Sequence, residues 1–318
     1  MIASTAEAPV RPGFVAHAPA FADVIGAAPR LEQVVATDAH EGPVYAADED
    51  ALYFTTVPRR PARPDEPVVA IKRIALDGAR FPVDPGRVTV AHPEANVANG
   101  MTLDGEGMLV VCEQGTTSRP ARITRIDRAT GDRETLVDSW NGLPLNSPND
   151  VVVKGDGTVW FTDPAYGHLQ GFRPEPRVRD AVYRYDPGSG EVAVAALAFD
   201  KPNGLAFSPD ERILYVGDNG APHHLLAFGV GAGGSLTRPR IVAVGTPEHP
   251  DGVKVDRDGR IYTSAATGIQ VWSPRGALAG EIVLPGAVNF TFGGPERNIL
   301  FITRDTAVWA AVLNTREA

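Results

Sequence analysis

A hairpin-like pattern occurs six times along the chain, and this repeat limits the fold more than any other feature. In Lys201–Asp218, Asn203 is followed by an alternating segment, a Ser-Pro-Asp turn and a second apolar strand, which is typical of a β-hairpin. The residue that opens each copy is called an opener here. The other openers are Glu41, Asn99, Asn149, Asp251 and Asn289. Spacings of about 40 to 60 residues fit four-stranded blades with variable loops. The sequence therefore predicts an all-β, six-bladed β-propeller.

A closed repeat of this kind allows all 318 residues to belong to one domain. Residues 1–30 are rich in Ala and Pro and lack periodicity, so we expect an N-terminal extension that lies on the surface. Residues 31–318 are predicted to form the propeller. Two apolar segments at its ends, Leu31–Thr37 and Ala307–Leu313, are expected to pair in one blade and close the ring.

Charge and composition exclude several classes of partner. The formal net charge is −9, which gives no electrostatic footprint for nucleic acid or for an anionic membrane surface. The chain shows neither a leader pattern nor an apolar run of membrane-spanning length, and its single cysteine, Cys112, lies within an apolar strand. We expect a cytoplasmic monomer or small homo-oligomer that acts on a small molecule.

Radial packing of the six hairpins would bring all six openers to one mouth of the central channel. Four of them, Glu41, Asn149, Asn203 and Asp251, would offer two carboxylates and two amide oxygens. Oxygen ligands with a charge of about −2 suit a hard divalent cation. We therefore predict one central metal ion, with Ca²⁺ preferred over Mg²⁺, Mn²⁺ or Zn²⁺.

The competing interpretation is that Asn and Asp merely begin turns at these positions. Six openers in register argue against it. The residue that follows the opener also argues against simple turn formation. A small residue is needed there if the chains crowd around an axis. That residue is glycine in four copies, at Gly42, Gly100, Gly204 and Gly252.

Several motifs resemble a known family. They are Glu41–Tyr45, Ser147–Val151, Trp160–Pro164, Pro202–Asp210 and Pro250–Gly252. In these motifs the chain resembles the gluconolactonase and senescence-marker (regucalcin-like) family of six-bladed propellers, over about residues 31–313. The resemblance implies that the metal glutamate of the family falls on Glu41, its two asparagines on Asn149 and Asn203, and its metal-binding aspartate on Asp251.

The resemblance also implies a reaction, the metal-dependent hydrolysis of a sugar lactone or a related lactone. Asp251 is our choice as general base because a carboxylate can accept a proton and an amide cannot. Glu41 is the competing candidate. Five residues are expected around the mouth as substrate contacts: Asn99, Glu113, Tyr166, His168 and Asn289. His40 and His249 flank two proposed ligands and are candidates for orienting them.

Two alternatives stay open at this point. The same metal site could serve organophosphate hydrolysis or a biosynthetic ring opening or closure, since fold does not separate these reactions. A non-catalytic propeller that binds a protein or a small ligand is the other alternative. The two carboxylates among the four proposed ligands argue against it, because a scaffold does not require them.

Overall fold

The computed structural model describes residues 13–60, 63, 65–221, 223–244 and 250–318. Within these ranges the chain forms six antiparallel sheets of four strands, with one further strand added to the fifth. Consecutive strands within a blade are hydrogen-bonded neighbours, as the repeated hairpins require. The predicted six-bladed β-propeller is confirmed.

Each blade contains four strands that run from the channel to the rim. Those of blades 1, 2 and 3 are, in order, Glu41–Ala46, Ala51–Thr55, Ile71–Ala75 and Val88–His92; Ala98–Leu103, Leu109–Glu113, Arg122–Ile126 and Arg133–Val137; and Val151–Val153, Val159–Asp163, Ala181–Asp186 and Glu191–Ala196. Those of blades 4, 5 and 6 are Pro202–Phe207, Ile213–Asp218, His224–Gly229 and Arg240–Val244; Val253–Val255, Ile261–Ala265, Gly268–Trp272 and Leu278–Val283; and Phe290–Gly293, Ile299–Arg304, Ala307–Val312 and Arg30–Ala36.

The ring closes in blade 6, where the chain's first and last segments meet. Arg30–Ala36 forms the outer strand there and pairs antiparallel with Ala307–Val312, with Arg30 opposite Val312 and Ala36 opposite Ala307. This pairing leaves no open blade between the two ends of the ring. The predicted pairing of the terminal segments is correct.

The N-terminal segment differs from the expectation. Residues 1–12 lie outside the described residues, but Gly13–Ala16 forms a fifth strand on blade 5, against Leu278–Val283. The helix that follows, Phe21–Ile25, buries Phe21 completely in the apolar cluster between blades 5 and 6. Gly280 makes room for it, since a Cβ there would overlap the Phe21 ring. Residues 13–30 are thus part of the packed domain and do not lie loosely on its surface.

Other short elements lie in the loops. These are the helix Tyr166–Leu169, the 3₁₀ turns Pro85–Arg87 and Ala232–Gly234, and a two-stranded hairpin of Ser139–Trp140 with Leu143–Pro144. No helix in the described ranges has the length and apolar character needed to cross a membrane.

The core is divided among the interfaces between blades. Six apolar clusters occur in the described part of the chain, and each joins two neighbouring blades. The second strands are buried on both faces; all five residues of Ala51–Thr55 and of Val159–Asp163 are buried. Since each sheet packs on both sides, its innermost strand is held at a fixed distance from the axis, and the openers are held with it.

Candidate functional site

The openers lie at the entrance to the innermost strands, and in three of the six blades the strand ladder is irregular there. In blades 1, 2 and 4 the pairing register shifts between Glu41 and Val44, between Ala98 and Met101, and between Pro202 and Leu205. An irregularity of this kind re-aims a side chain that regular pleating would direct to a sheet face. It allows the opener side chains to turn toward the axis.

Contacts between neighbouring blades connect the openers into a ring. The backbone N–H of Gly100 donates to Asn149 O at 2.7 Å, and that of Gly204 donates to Asp251 O at 2.8 Å. A Cβ on Gly42, Gly204 or Gly252 would overlap Asn99 O, Asp251 O or the Asn289 amide, respectively. The crowding predicted from the four glycines is therefore present, and the structure brings all six openers to one mouth of the channel. In the other two blades the residue after the opener is not glycine; it is Asp150 in blade 3 and Phe290 in blade 6.

Glu41 is 4% exposed and is held by two donors on one oxygen. Its Oε2 accepts a hydrogen bond from Asn289 Nδ2 at 2.7 Å and another from the N–H of Gly42 at 3.1 Å. The other end of the Asn289 amide, Oδ1, accepts from the Phe290 N–H at 2.7 Å. Both ends of this amide are therefore used, and Asn289 orients Glu41 at the junction of blades 6 and 1.

Glu41 and Asp251 repel each other across the ring. Burial raises the pKa of Glu41, and the charge of His40 and the Asn289 hydrogen bond only partly oppose this effect. Burial and the charge of Glu41 raise the pKa of Asp251 well above its ordinary value. Two carboxylates that interact in this way are unfavourable as a doubly charged pair unless a cation lies between them.

The amide openers complete a set of oxygen donors. Asn149 and Asn203 are 6% and 4% exposed. Asn99 Oδ1 is buried and has no hydrogen-bond partner among the described residues. An amide oxygen that lacks a hydrogen-bond partner is the kind of donor that a hard cation accepts.

The described residues contain no group of three His, Cys, Asp or Glu side chains that could hold a metal ion. A cation at this mouth would therefore need amide oxygens to complete its coordination. Glu41, Asn149, Asn203 and Asp251 form a donor set of that kind, and its fit to a hard divalent cation rests on this chemistry.

Tyr166 joins the ring from the loop of blade 3. Its phenol oxygen accepts a hydrogen bond from Asn203 Nδ2 at 3.4 Å, and the Asn219 side chain lies near it. Burial, and then the negative charge of Asp251, raises the pKa of Tyr166, so the phenol stays protonated. Asn219 was not among the predicted site residues.

Glu113 does not reach the mouth. It is fully buried and shares its strand face with Leu109 and Val111, which pack between blades 1 and 2. Its carboxylate binds Arg122 Nε at 2.6 Å and accepts from Asn96 Nδ2 at 2.9 Å. The expectation that Glu113 meets substrate is therefore corrected: the period of two along the strand turns this side chain toward a neighbouring blade.

His168 and His249 are not placed at the ring by the structure. His168 is exposed on the helix Tyr166–Leu169, and the structure shows no contact between it and the ring. His249 lies outside the described residues. His168 is consequently a rim residue in this structure.

The comparisons with known proteins agree with this geometry. The family model described as SMP-30/Gluconolactonase/LRE-like region matches residues 39–306, which is most of the chain. The chain belongs to this family. All four proposed metal ligands lie within the matched residues.

Several proteins similar to this family member are named or described as gluconolactonases. A gluconolactonase of Zymomonas mobilis is 29% identical over 264 residues, which cover 79% of this chain and 71% of that protein. A 6-deoxy-6-sulfogluconolactonase of Pseudomonas putida is 33% identical over 279 residues, 83% of this chain and 82% of that protein. A solved structure described as a gluconolactonase of Xanthomonas campestris is 33% identical, with a TM-score of 0.80 and 96% of each chain covered.

Two further ion pairs surround the ring in this member of the SMP-30/Gluconolactonase/LRE-like family. His40 Nδ1 lies 2.7 Å from Asp305 Oδ1. Burial alone would lower the pKa of His40, but Asp305 and the ring carboxylates raise it. On the axial side, the buried Asp150 carboxylate lies 3.9 Å from Lys254 Nζ. Sequence reasoning placed His40 beside Glu41 but gave no signal for Asp305 or Lys254, because those partners are distant in sequence.

The described part of the channel widens at the end away from the openers. A cavity of about 650 Å³ lies there, lined by residues farther along the innermost strands, including Val153, Phe207 and Lys254. None of the openers lines it. The concentration of buried carboxylates and amides is at the opposite mouth, and the candidate site of this family member is placed there.

Proposed function

We propose that this chain is a hydrolase that opens a lactone ring, with a sugar lactone or a related lactone as substrate. The observation that carries the proposal is the pair of carboxylates in the opener ring, the buried Glu41 and the partly buried Asp251, which interact electrostatically. The names of the relatives support the same reaction. They favour ring opening over organophosphate hydrolysis and over a non-catalytic binding role.

The donor set is proposed to hold one divalent cation through Glu41, Asn149, Asn203 and Asp251, with Ca²⁺ preferred and Mg²⁺, Mn²⁺ or Zn²⁺ as alternatives. Two carboxylates reduce the charge of such an ion, and neutral amides complete its oxygen coordination. When bound, the cation would polarise the lactone carbonyl and stabilise negative charge that develops on its oxygen.

The protein's own part in the reaction is to accept and return protons. The oxygen of a water molecule bonds to the carbonyl carbon while Asp251 accepts one of its protons. The bond between that carbon and the ring oxygen then breaks, the proton passes to the ring oxygen, and a hydroxy acid is released. No covalent intermediate with the chain is needed.

Asp251 is proposed as the base in preference to Glu41 because of their hydrogen bonds. Glu41 Oε2 already accepts two N–H groups, from Asn289 and Gly42. These bonds stabilise the charged carboxylate and fix its orientation, which suits a ligand better than a proton acceptor.

Three of the five expected substrate contacts are retained in the proposal. Asn99 and Tyr166 are proposed to face the substrate at the mouth, and Asn289 is proposed to act through Glu41. His168 is proposed only as a rim residue, and Glu113 is not proposed. The acidic chain suits a small-molecule partner better than nucleic acid or an anionic membrane surface. The cytoplasmic location and the monomeric or small homo-oligomeric state stay predictions from the sequence.

The test is acid release from a panel of aldonolactones and one organophosphate, measured before and after chelation. We expect aldonolactone turnover that chelation abolishes and that added Ca²⁺, Mg²⁺, Mn²⁺ or Zn²⁺ restores to different degrees. Glu41→Gln should impair this turnover, and Glu191→Gln, which alters an exposed strand residue of blade 3, should not. Organophosphate turnover without lactone turnover would overturn the proposed reaction, and full activity in metal-free protein would overturn the cation's role.

A further inference from the structure

The two amide openers among the proposed metal ligands share their local sequence. Asn149 and Asn203 each follow a proline, Pro148 and Pro202. A proline ring fixes its own φ at about −65° and restricts the residue before it to an extended conformation. The proline is therefore a stiff connection to the opener. The position of the amide at the axis depends on how the two residues before the proline are held.

A carboxylate holds those two residues in blade 4. Asp218 is the last residue of the second strand and is 7% exposed. Its Oδ2 accepts the N–H of Asp200 at 3.0 Å, and its Oδ1 accepts the N–H of Lys201 at 2.7 Å. Oδ1 also accepts the N–H of Gly220 at 3.0 Å. Each oxygen of this carboxylate therefore binds one of the two successive N–H groups before Pro202.

Blade 3 contains the same arrangement. Asp163 is the last residue of its second strand and is fully buried. Its Oδ2 accepts the N–H of Asn146 at 2.9 Å, and its Oδ1 accepts the N–H of Ser147 at 2.8 Å. Hydrogen bonds of this kind, from backbone N–H groups to a charged carboxylate, are stronger than those between neutral groups. In both blades the bonded N–H groups lie two and three residues before the opener.

The strand ladder gives the openers less support than the carboxylates give these segments. In blade 4 the pairing register shifts between Pro202 and Leu205, and Asn203 lies within this irregular stretch. In blade 3 the paired strand begins at Val151, and the opener before it has one backbone bond, from the Asn149 N–H to a carbonyl of the second strand at 2.9 Å. The carboxylates therefore hold the chain where regular pairing is interrupted.

We propose that Asp218 and Asp163 are positioning residues, which act through the backbone to place the amides of Asn203 and Asn149 for the cation. The inference rests on the proposed function, since these amides need a fixed placement only if they are ligands. Calcium affinity depends on the charge of the ligands and on the rigidity of the site. A neutral amide adds no charge, so its contribution depends on where the backbone holds it.

Calorimetric titration with Ca²⁺ tests the proposal in blade 4. Asp218→Asn keeps the size of the side chain but replaces one acceptor oxygen with an NH₂ group, which cannot accept an N–H. We expect the affinity for Ca²⁺ to fall about tenfold, as for other residues that orient metal ligands. Asp104→Asn is the matched control and should leave the affinity unchanged. Asp104 Oδ1 also accepts two N–H groups, each at 2.9 Å, but it follows the end of an innermost strand that lies away from the openers.

A double-variant cycle separates positioning from stability. In an Asn203→Ala background, which lacks the amide, Asp218→Asn should change the affinity by less than about twofold. Its effect on the free energy of unfolding should persist in that background, because the same backbone bonds are lost there. Asp163→Asn with Asn149→Ala repeats the cycle in blade 3, at a pH above about 7 so that Asp163 is charged. This second cycle gives the answer if a blade 4 variant does not fold.

The remaining outcomes decide against the inference. Unchanged affinity in Asp218→Asn would show that this carboxylate does not position Asn203. A further loss of affinity in the Asn203→Ala background would show that Asp218 acts on the mouth as a whole, and an equal loss for Asp104→Asn would reduce the effect to general stability. If the wild-type protein binds no Ca²⁺, the proposed cation fails and the inference fails with it. A wild-type protein and variants that bind Ca²⁺ equally well would overturn the inference alone.

Discussion

The Asn289 amide donates to Glu41 Oε2 at 2.7 Å, although the two residues are 248 positions apart in the chain. This bond joins the openers of the last and first blades and completes the circle of contacts around the channel. Because Asn289 Oδ1 is used by the Phe290 N–H, the amide cannot turn over without losing a bond. The orientation of Glu41 is therefore set by closure of the propeller.

Loss of this bond should weaken cation binding more than folding. Asn289→Ala leaves Glu41 with one N–H donor, and we expect the affinity for Ca²⁺ to fall roughly 10- to 100-fold, as for other residues that orient metal ligands. Calorimetric titration measures the change. Asn298→Ala is the matched control, because that amide lies in the same blade and bonds Leu313 O, away from the ring. Equal affinity for the Asn289 variant and the control would contradict the role of Asn289.

Crowding at the ring should make Gly204 intolerant of a side chain. A Cβ there would overlap Asp251 O, so Gly204→Ala must displace a backbone segment. We expect a loss of roughly 1–3 kcal/mol in the free energy of unfolding, the usual cost of overpacking. Urea denaturation gives the value. Gly105→Ala, where nothing lies within 4 Å, should be nearly neutral. A neutral Gly204→Ala would mean that the blades do not meet as described.

Asp163 should make stability depend on pH. Burial raises its pKa to about 7, against the opposing N–H groups of Asn146 and Ser147. The folded state then binds the proton more tightly than the unfolded state, whose pKa is near 3.8. The contribution of Asp163 to stability therefore decreases as pH rises from about 4 to about 7, and it is level above that range.

The variant Asp163→Asn cannot ionise and isolates this effect. Its free energy of unfolding, relative to wild type, should rise between about pH 4 and pH 7 and then level off. Urea denaturation at fixed calcium concentration measures it at each pH, with Asp132→Asn at an exposed position as control. A difference that does not vary with pH would show that Asp163 titrates normally.

The general base can be distinguished from a simple ligand by exchanging charge. Asp251→Asn keeps an oxygen ligand and removes the proton acceptor, so kcat should fall by roughly 10²- to 10⁴-fold in metal-saturated enzyme. Asn203→Asp keeps an oxygen ligand and adds a charge, which should give a smaller loss. Saturation must be verified for both variants, since lost affinity would imitate lost catalysis. Near-normal kcat in saturated Asp251→Asn would move the base to Glu41.

The repeat made the propeller and its ring predictable from sequence. The six openers share a local pattern, and radial symmetry converts a shared pattern into a shared location. The same reasoning could not place residues 13–25. The docking of Phe21 depends on a gap left by Gly280, more than 250 residues away, and no periodicity marks it.

The residues around the ring were harder to predict, because their roles depend on loops. Glu113 is the last residue of a second strand, and its side chain lies between blades. Tyr166 comes shortly after another second strand, and its side chain contacts the opener Asn203. Asn219 lies near Tyr166 of another blade, and Asp305 contacts His40 of another blade. A single sequence shows residue types at these positions, but the loop path decides which residue each side chain meets.

The opener ring is proposed to hold one divalent cation through two carboxylates. The most direct measurement is the number of Ca²⁺ ions bound per chain, by native mass spectrometry, in wild type and in the double variant Glu41→Gln, Asp251→Asn. We predict one ion at the ring in wild type and none there in the double variant, with thermal stability raised by Ca²⁺ only in wild type. The same number of bound ions in both proteins, or none in either, would contradict the claim.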